Sequence, residues 1–405
     1  MKVDPEGCGF DPVRLERITE HFGTRYVTPG KIPGCQIAVS RGGTPAYWRS
    51  LGLMDRERAK PVDESTIWRL YSMTKPITSV ALMQLYEHGR FQLSDPLHRY
   101  LPEWRDLVVG ELQGDGSIRM VDPVRPVSVG DALTHMTGLA GSPERAHPTD
   151  ARFATELHAA RHGMTLEGLC SLLAGYPLKF QPGTSWNYGL STDICARLVE
   201  VLSGQPFDRY LEDNVFGPLG MVDTGFSVPD GSVDRFAACY RYRAGGAPEL
   251  LDDPERSSYR RTRSYLSGAG GLVSTTADYL RFCQALAHQG EFEGHRILGR
   301  KTLELMTANH LPDDGELAEL ATGGFGETEF SGVGFGLGFA IGKGPGATGT
   351  AGSAGEFYWG GAASTAFWVD PVEDVTVVFM TQLMPSASYP FRSQLRALVY
   401  QALVN

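Results

Sequence analysis

Apolar and polar positions change their period several times along the chain, and each change marks an element. "DPVRLERITEHF" places Val13, Leu15, Ile18 and Phe22 at helical spacing behind Asp11, which can cap the helix. "GCQIAVSRGGTPAYWRSLGLMD" alternates instead, about Gly42 and Gly43, and predicts a hairpin. "TIWRLYS" then leads into a long apolar run. Pro76 lacks an N–H and is tolerated only near a helix start, so this helix should begin close to Met73. Ile77, Val80, Ala81, Leu82, Leu85 and Tyr86 cover most of its circumference, which predicts a buried helix, and Gly89 offers a C′ stop.

The pattern is choppier from about residue 100 to 265, where Pro and Gly are frequent. Short helical pieces recur there, such as "VSVGDALTHMTGL", "TLEGLCSLLAGYPL" and "DICARLVEVLSGQPFDRYLEDNVFGPLGM". This predicts a mainly helical lobe, 101–265, inserted into an α/β lobe built from 1–100 and 266–405, with a site between them. "GAGGLVSTTADYLRFCQALAHQG" resumes with a Gly-rich strand and a helix. "GEFYWGGAASTAFWVDPVEDVTVVFMTQ" predicts two long strands meeting at Asp370–Pro371, before a closing helix in "RSQLRALVYQAL". "GKGPGATGTAGSAG" is a Gly-rich loop without the Lys–Ser/Thr ending of a phosphate loop.

Composition narrows the classes. The 405 residues are 42% hydrophobic and 21% charged, ordinary values for a globular chain. Net charge is −10, which argues against nucleic acid, whose partners need a basic face. The densest basic cluster, "YRRTRSY" with Arg260, Arg261 and Arg263, follows the acidic "LLDDPE" and reads as a locally neutralised surface. Six scattered cysteines form no C-x-x-C pair, so neither a metal site nor a disulfide scaffold is indicated. No apolar run reaches signal-peptide or transmembrane length, so the expectation is a cytoplasmic chain without membrane contact.

The candidate chemistry starts from what is missing. No G-x-S-x-G elbow and no H-E-x-x-H zinc motif occurs. Ser-x-x-Lys does occur, as Ser72 and Lys75. Residues i and i+3 share a helix face with Cβ atoms about 5–6 Å apart, so the amine can reach the hydroxyl one turn earlier. As a base Lys75 would have to be neutral, far below its ordinary pKa of about 10.4, and desolvation can drive that. The triplet alone is expected roughly once by chance in a chain of this composition. Two further stretches give it context. "FQPGTSWNYGLSTDICARLVEVLSG" places Trp186, Asn187 and Tyr188 on a loop before a helix that Ser191 or Thr192 could cap. "YWGGAAST" puts Gly360 and Gly361 in a run of strand formers, where glycines mark close approach to the backbone.

In this order, the three stretches resemble the serine β-lactamase and penicillin-binding-protein superfamily. Within it the chain looks most like the class C β-lactamase-like branch, and most of all the family VIII carboxylesterases. "YSMTKPITSVALMQLYEHGRFQLSDPLHRYLPEW", "PVSVGDALTHMTGL" and "GAGGLVSTTADYLRF" extend the resemblance over nearly the whole chain. It implies a β-lactamase-like α/β fold, an antiparallel sheet flanked by helices with the mainly helical lobe inserted. It also implies Ser72 as acylated nucleophile, Lys75 and Tyr188 as the base system, and the backbone N–H groups of Ser72 and Ala362 as oxyanion hole. Trp186 and Trp359 would form aromatic walls, with Gly360 and Gly361 on the substrate side. No cofactor or metal is implied.

Two departures set the expected substrate. Tyr-x-Asn of the lactamases is Tyr188–Gly189–Leu190 here, and Lys-Thr-Gly is Trp359–Gly360–Gly361. The amide that would hold a β-lactam side chain and the cation that would grip a carboxylate are both missing at these positions. A neutral, short-chain carboxylic ester is therefore the expected small-molecule substrate. Acyl transfer to an alcohol, and β-lactamase or D-peptidase activity, are the alternatives on the same Ser–Lys–Tyr site.

Overall fold

The alternating segment after Pro33 does form a hairpin. In the computed structural model, which describes residues 1–141, 147–160, 163–261, 263–323 and 330–404, β1 (Gly34–Arg41) and β2 (Thr44–Asp55) pair antiparallel. Arg41 faces Thr44 across a two-residue loop, and both loop residues, Gly42 and Gly43, have positive φ. Such a loop matches the right-handed twist of the strands, and glycine adopts it without a Cβ penalty. Before it, α1 (Pro12–Phe22) is capped by Asp11, whose carboxylate accepts from the N–H groups of Val13 and Arg14. Leu15, Ile18 and Phe22 are buried as expected, but Val13 is 76% exposed. It precedes Leu15 by two positions, about 200° around the helix, and so points away from the buried face.

One large sheet organises the molecule. The short β3 (Lys60–Pro61) lies at one edge beside β2. β4 (Ile67–Arg69) leaves the sheet and pairs with β5 (Val273–Thr275). The sheet is completed late in the chain by β6 (Val333–Phe335), β7 (Ala340–Gly342), β8 (Phe357–Gly360), β9 (Ala366–Asp370) and β10 (Val375–Met380). Its order is β6-β7-β8-β9-β10-β1-β2-β3, antiparallel throughout. The two ends of the chain meet where β10 lies on β1, from Gln36 opposite Met380 to Arg41 opposite Val375.

The C-terminal pattern needs a correction. The turn at Asp370–Pro371 is present between β9 and β10, but the stretch before it forms two strands, so the segment holds three. The break comes at Gly361–Ser364. Ser364 has φ +68 and its N–H donates to the Gly361 carbonyl at 2.9 Å, while Gly361 N–H donates to Thr365 at 2.9 Å. That closes a turn where an uninterrupted strand was expected.

The apolar run is a buried helix. A 3-10 turn, Tyr71–Met73, leads into α2 (Thr74–Glu87), in which every residue from Thr74 to Leu85 is buried. Gly89 follows with φ +68, a left-handed stop in the expected place. α2 packs on α3 (Ser191–Ser203), and α4 (Thr276–Ala287) lies across β9 and β10. Ser191 does not cap α3: it is the first helical residue, and its hydroxyl meets that of Thr137 at 3.1 Å. The opposite face of the sheet is covered by α1 and α5 (Phe391–Tyr400), where Phe22, Ile37, Phe379, Phe391 and Leu395 share a core.

Residues 101–265 include helices such as Pro148–Ala160 and Leu166–Ala174, and also two hairpins. One of these, through Cys239–Arg241, pairs in parallel with Leu383–Met384 near the C-terminus. Residues 142–146, 161–162 and 262 of this stretch lie outside the described residues. The basic cluster is locally balanced, with Arg260 paired to Asp230 at 2.8 Å and Arg263 over the Tyr259 ring. All six cysteines are buried and free of disulfides. Among the described residues no helix is long and apolar enough to cross a membrane.

Candidate active site

Ser72 is set by the way β4 ends. Leu70 N–H donates to the Leu272 carbonyl at 3.0 Å, and the next residue, Tyr71, has φ +47. A left-handed tyrosine costs about 1–3 kcal/mol and persists only where the surroundings impose it. The strain turns the chain sharply into the 3-10 turn that carries Ser72, just ahead of the α2 N-terminus. Met73 N–H closes that turn on the Leu70 carbonyl at 3.2 Å.

Three of the predicted residues come together here. Tyr188 Oη donates to Ser72 Oγ at 2.6 Å, and Lys75 Nζ donates to the same oxygen at 3.3 Å. Lys75 Nζ also donates to the Ala269 carbonyl at 2.7 Å and lies 4.5 Å from the centre of the Tyr188 ring. Ser72 is 8% exposed and Lys75 4%, so the hydroxyl sits between two proton-carrying groups largely out of water. Such placement is what general acid–base chemistry on a serine requires.

The loop bearing Tyr188 is pinned along its length. Trp186 N–H donates to Leu320 at 2.8 Å and Asn187 N–H to His135 at 2.9 Å. The Asn187 side chain accepts from Lys179 Nζ at 2.7 Å and from Thr322 Oγ1 at 3.1 Å. Lys179 is itself in a buried ion pair with Asp150 at 2.9 Å. Trp186 and Trp359 are each 1% exposed. They stand behind Tyr188, with ring centroids 6.0 and 5.7 Å from its own, and brace that ring instead of presenting open walls.

The glycines after Trp359 admit close approach, and what approaches is the protein itself. A Cβ on Gly361 would overlap the Leu70 carbonyl and the Thr365 hydroxyl, and one on Gly360 would overlap the Arg392 guanidinium. Ala362 follows in the turn, not on the strand, and is half-buried. The turn therefore presses the Ala362 region against the Leu70–Ser72 corner. Gly361→Ala should lower stability by about 1–3 kcal/mol, because backbone must move to admit the methyl. Gly346→Ala, at a position with open space, should change it by less than about 0.5 kcal/mol. Urea midpoints of the two variants test this. A cavity of about 390 Å³ borders the same turn through Trp359 and Ser364, with Arg392 in its wall; Ser72, Lys75 and Tyr188 do not line it.

Two buried groups beside the trio escaped the sequence reading. His135, with φ +59, packs its ring 5.2 Å from that of Tyr188 and 5.6 Å from Phe335. Burial first, and the Lys75 charge second, hold its pKa well below the usual imidazole range, so the ring is neutral. Asp193 is fully buried at the start of α3, and burial raises its pKa against the opposing pull of the Ser267 hydroxyl and the Lys75 charge. His135 gave no signal inside "DALTHMTGL". Asp193 reads in the sequence as a first-turn acid matched to the helix dipole; only its position among Ile194, Cys195 and Leu198, all buried, sets it apart.

The comparisons agree with this architecture. The chain belongs to the Beta-lactamase family, whose model matches residues 16–401, and its fold is that of the β-lactamase and penicillin-binding-protein superfamily. Esterase EstB of Burkholderia gladioli is 29% identical over 98% of both chains. Monacolin J acid methylbutanoyltransferase of Aspergillus terreus is 29% identical, over 73% of this chain and 70% of its own. Among solved structures, EstCE1, described as a hydrolase with promiscuous acyltransferase activity, superposes with a TM-score of 0.79 at 26% identity, covering 96% of this chain and 99% of its own. These likenesses fit a family VIII esterase type, as the resemblance implied.

Proposed function

We propose that the protein is a serine carboxylesterase acting on short-chain esters through an acyl-enzyme. The observation that carries this is Ser72 Oγ lying 2.6 Å from Tyr188 Oη and 3.3 Å from Lys75 Nζ. The similarity to an esterase and to a hydrolase with acyltransferase activity supports it.

Ser72 Oγ attacks the ester carbonyl as its proton passes to the Lys75–Tyr188 pair. The tetrahedral oxyanion is held by the backbone N–H groups of Ser72 and Ala362. Each such donor is worth roughly 2.7–4 kcal/mol when removed. The pair then protonates the departing alkoxide, leaving Ser72 as an ester. Water, deprotonated by the same pair, attacks that ester and releases the carboxylic acid with Ser72 restored. Leu190 and Trp359 provide neither the amide nor the cation of a lactamase at their positions, which favours neutral esters. Leu190 instead packs against Gly141, whose Cβ position it fills.

A diethyl phosphoryl probe tests the nucleophile. Intact mass should rise by one phosphoryl adduct per chain, mapped to the peptide holding Ser72. An adduct elsewhere, or none, would end the proposal. Nitrocefin turnover matching ester turnover would instead favour the lactamase alternative. Addition of a primary alcohol separates the remaining one. New ester forming faster than acid would make acyl transfer the principal reaction, an outcome the methylbutanoyltransferase relative keeps in view.

A further inference from the structure

Lys75 is held from behind by a strap that also hydrogen-bonds the buried Asp193 of α3. Residues Ser267–Gly270 run between α2 and α3, and the strap has little freedom. Thr78 Oγ1 donates to the Gly268 carbonyl at 2.8 Å. A Cβ on Gly268 would meet Ala196, the Thr192 backbone and Thr78, so no side chain fits there. Ala269 then faces both ways. Its carbonyl accepts from Lys75 Nζ at 2.7 Å, and its N–H donates to Asp193 Oδ1 at 3.2 Å. Ser267 Oγ donates to the same carboxylate oxygen at 2.8 Å.

A carboxylate with no exposure is expensive to keep, and an apolar residue would fill the space at less cost. What the carboxylate adds is an acceptor for the strap and a negative charge facing Lys75. We propose that Asp193 is a positioning residue for Lys75: it fixes Ala269, and Ala269 in turn aims the amine at Ser72. The inference rests on the Ser72–Lys75–Tyr188 reading above and names a residue outside that trio.

The surroundings make the charge legible in a pH profile. Lys75 is faced by Ser72 from its own turn, by Tyr188 from the loop before α3, by His135 from the turn after Val129–Leu133, and by Asp193. His135 is kept neutral; burial pushes the Asp193 carboxyl upward, while the Ser267 hydroxyl, the Lys75 charge and the Ala269 N–H pull it back toward its anionic form. Tyr265, Cys170 and Cys195 lie near Asp193, and burial pushes the pKa of each upward, so they add no charge near neutrality. An anion beside an amine favours its protonated form. Removing the anion therefore favours the neutral amine and moves the acid limb of the rate profile to lower pH.

Profiles of kcat and kcat/KM on a short p-nitrophenyl ester, with thermal melts, test this in Asp193→Asn and Asp193→Ala. Asparagine keeps an acceptor for Ala269. Its acid limb should move down by about one pH unit, with the plateau kcat within about tenfold of wild type. Alanine removes the acceptor as well. Its kcat should fall by about 10–100-fold with KM nearly unchanged, the signature of a misplaced catalytic amine. Folded variants whose profiles superpose on wild type, or whose loss lies in KM alone, would overturn the inference. If Asp193→Ala does not fold, the asparagine profile decides. If neither folds, Ser267→Ala decides: the acid limb should move if the carboxylate acts on Lys75, and an unmoved limb rejects it. Full turnover in Ser72→Ala would instead overturn the underlying reading, so the two failures are distinguishable.

Discussion

Alanine at position 72 should remove ester turnover almost completely, with kcat/KM on short p-nitrophenyl esters falling by roughly 10⁴–10⁶-fold. The size follows from the mechanism: without Oγ there is no acyl-enzyme, and only binding and any oxyanion contact remain. The fold should survive. Ser72 sits in a turn fixed by backbone bonds from Leu70 to Leu272 and from Met73 to Leu70, and none of these uses the hydroxyl. Melting temperature within a few degrees of wild type, together with lost turnover and lost phosphoryl labelling, is the expected combination. Wild-type-like turnover would place the nucleophile elsewhere. A large drop in melting temperature would mean that the site is tuned for stability, a reading the strained Tyr71 beside it argues against.

That strain bears on what a sequence can disclose. The elements that carry the site were legible because local chemistry specifies them. Asp11 caps α1, Gly42–Gly43 closes the hairpin, Pro76 and Gly89 bound α2, and the period of two or of 3.6 says which face is buried. Ser72, Lys75 and Tyr188 were legible too, because a motif of three short stretches in fixed order is specific where each alone is not. One misreading was local, and the others depended on contacts distant in sequence. Val13 stands about 200° around α1 from Leu15, off the face that Leu15, Ile18 and Phe22 share, and helix geometry alone excludes it from the core. The two long strands became three because Gly361 must yield to the Leu70 carbonyl, some 290 residues earlier. The indoles of Trp186 and Trp359 turned inward because Phe335, on β6, packs against both. His135 and Asp193 acquire meaning only when α3 and the turn after Val129–Leu133 are brought against α2. A single sequence does not encode that proximity in any local pattern.

Replacing Tyr188 with phenylalanine should be the second most damaging single change, lowering kcat by roughly 10²–10⁴-fold. Phenylalanine keeps the ring that packs on His135, Trp186 and Trp359, so the loop and the fold should hold. What is lost is the hydroxyl 2.6 Å from Ser72 Oγ, while Lys75 stays at 3.3 Å and retains some capacity to move the proton. The two roles open to Tyr188 separate by leaving group. A p-nitrophenolate departs without needing a proton, whereas an alkoxide must be protonated as it leaves. If Tyr188 delivers that proton, the variant should lose at least about tenfold more activity on an ethyl ester than on the p-nitrophenyl ester of the same acid. If it acts only in deprotonating Ser72, both esters should suffer alike in acylation. Single-turnover rates on the pair of substrates read acylation directly. Equal losses would move the acid role to Lys75, which its contact with Ser72 permits. No loss on either substrate would exclude Tyr188 from the chemistry and leave Lys75 as the sole base. The larger loss on the ethyl ester is the expected result, because the tyrosine holds the shorter of the two contacts to Ser72 Oγ, the atom bonded to the carbon from which the leaving alkoxide departs.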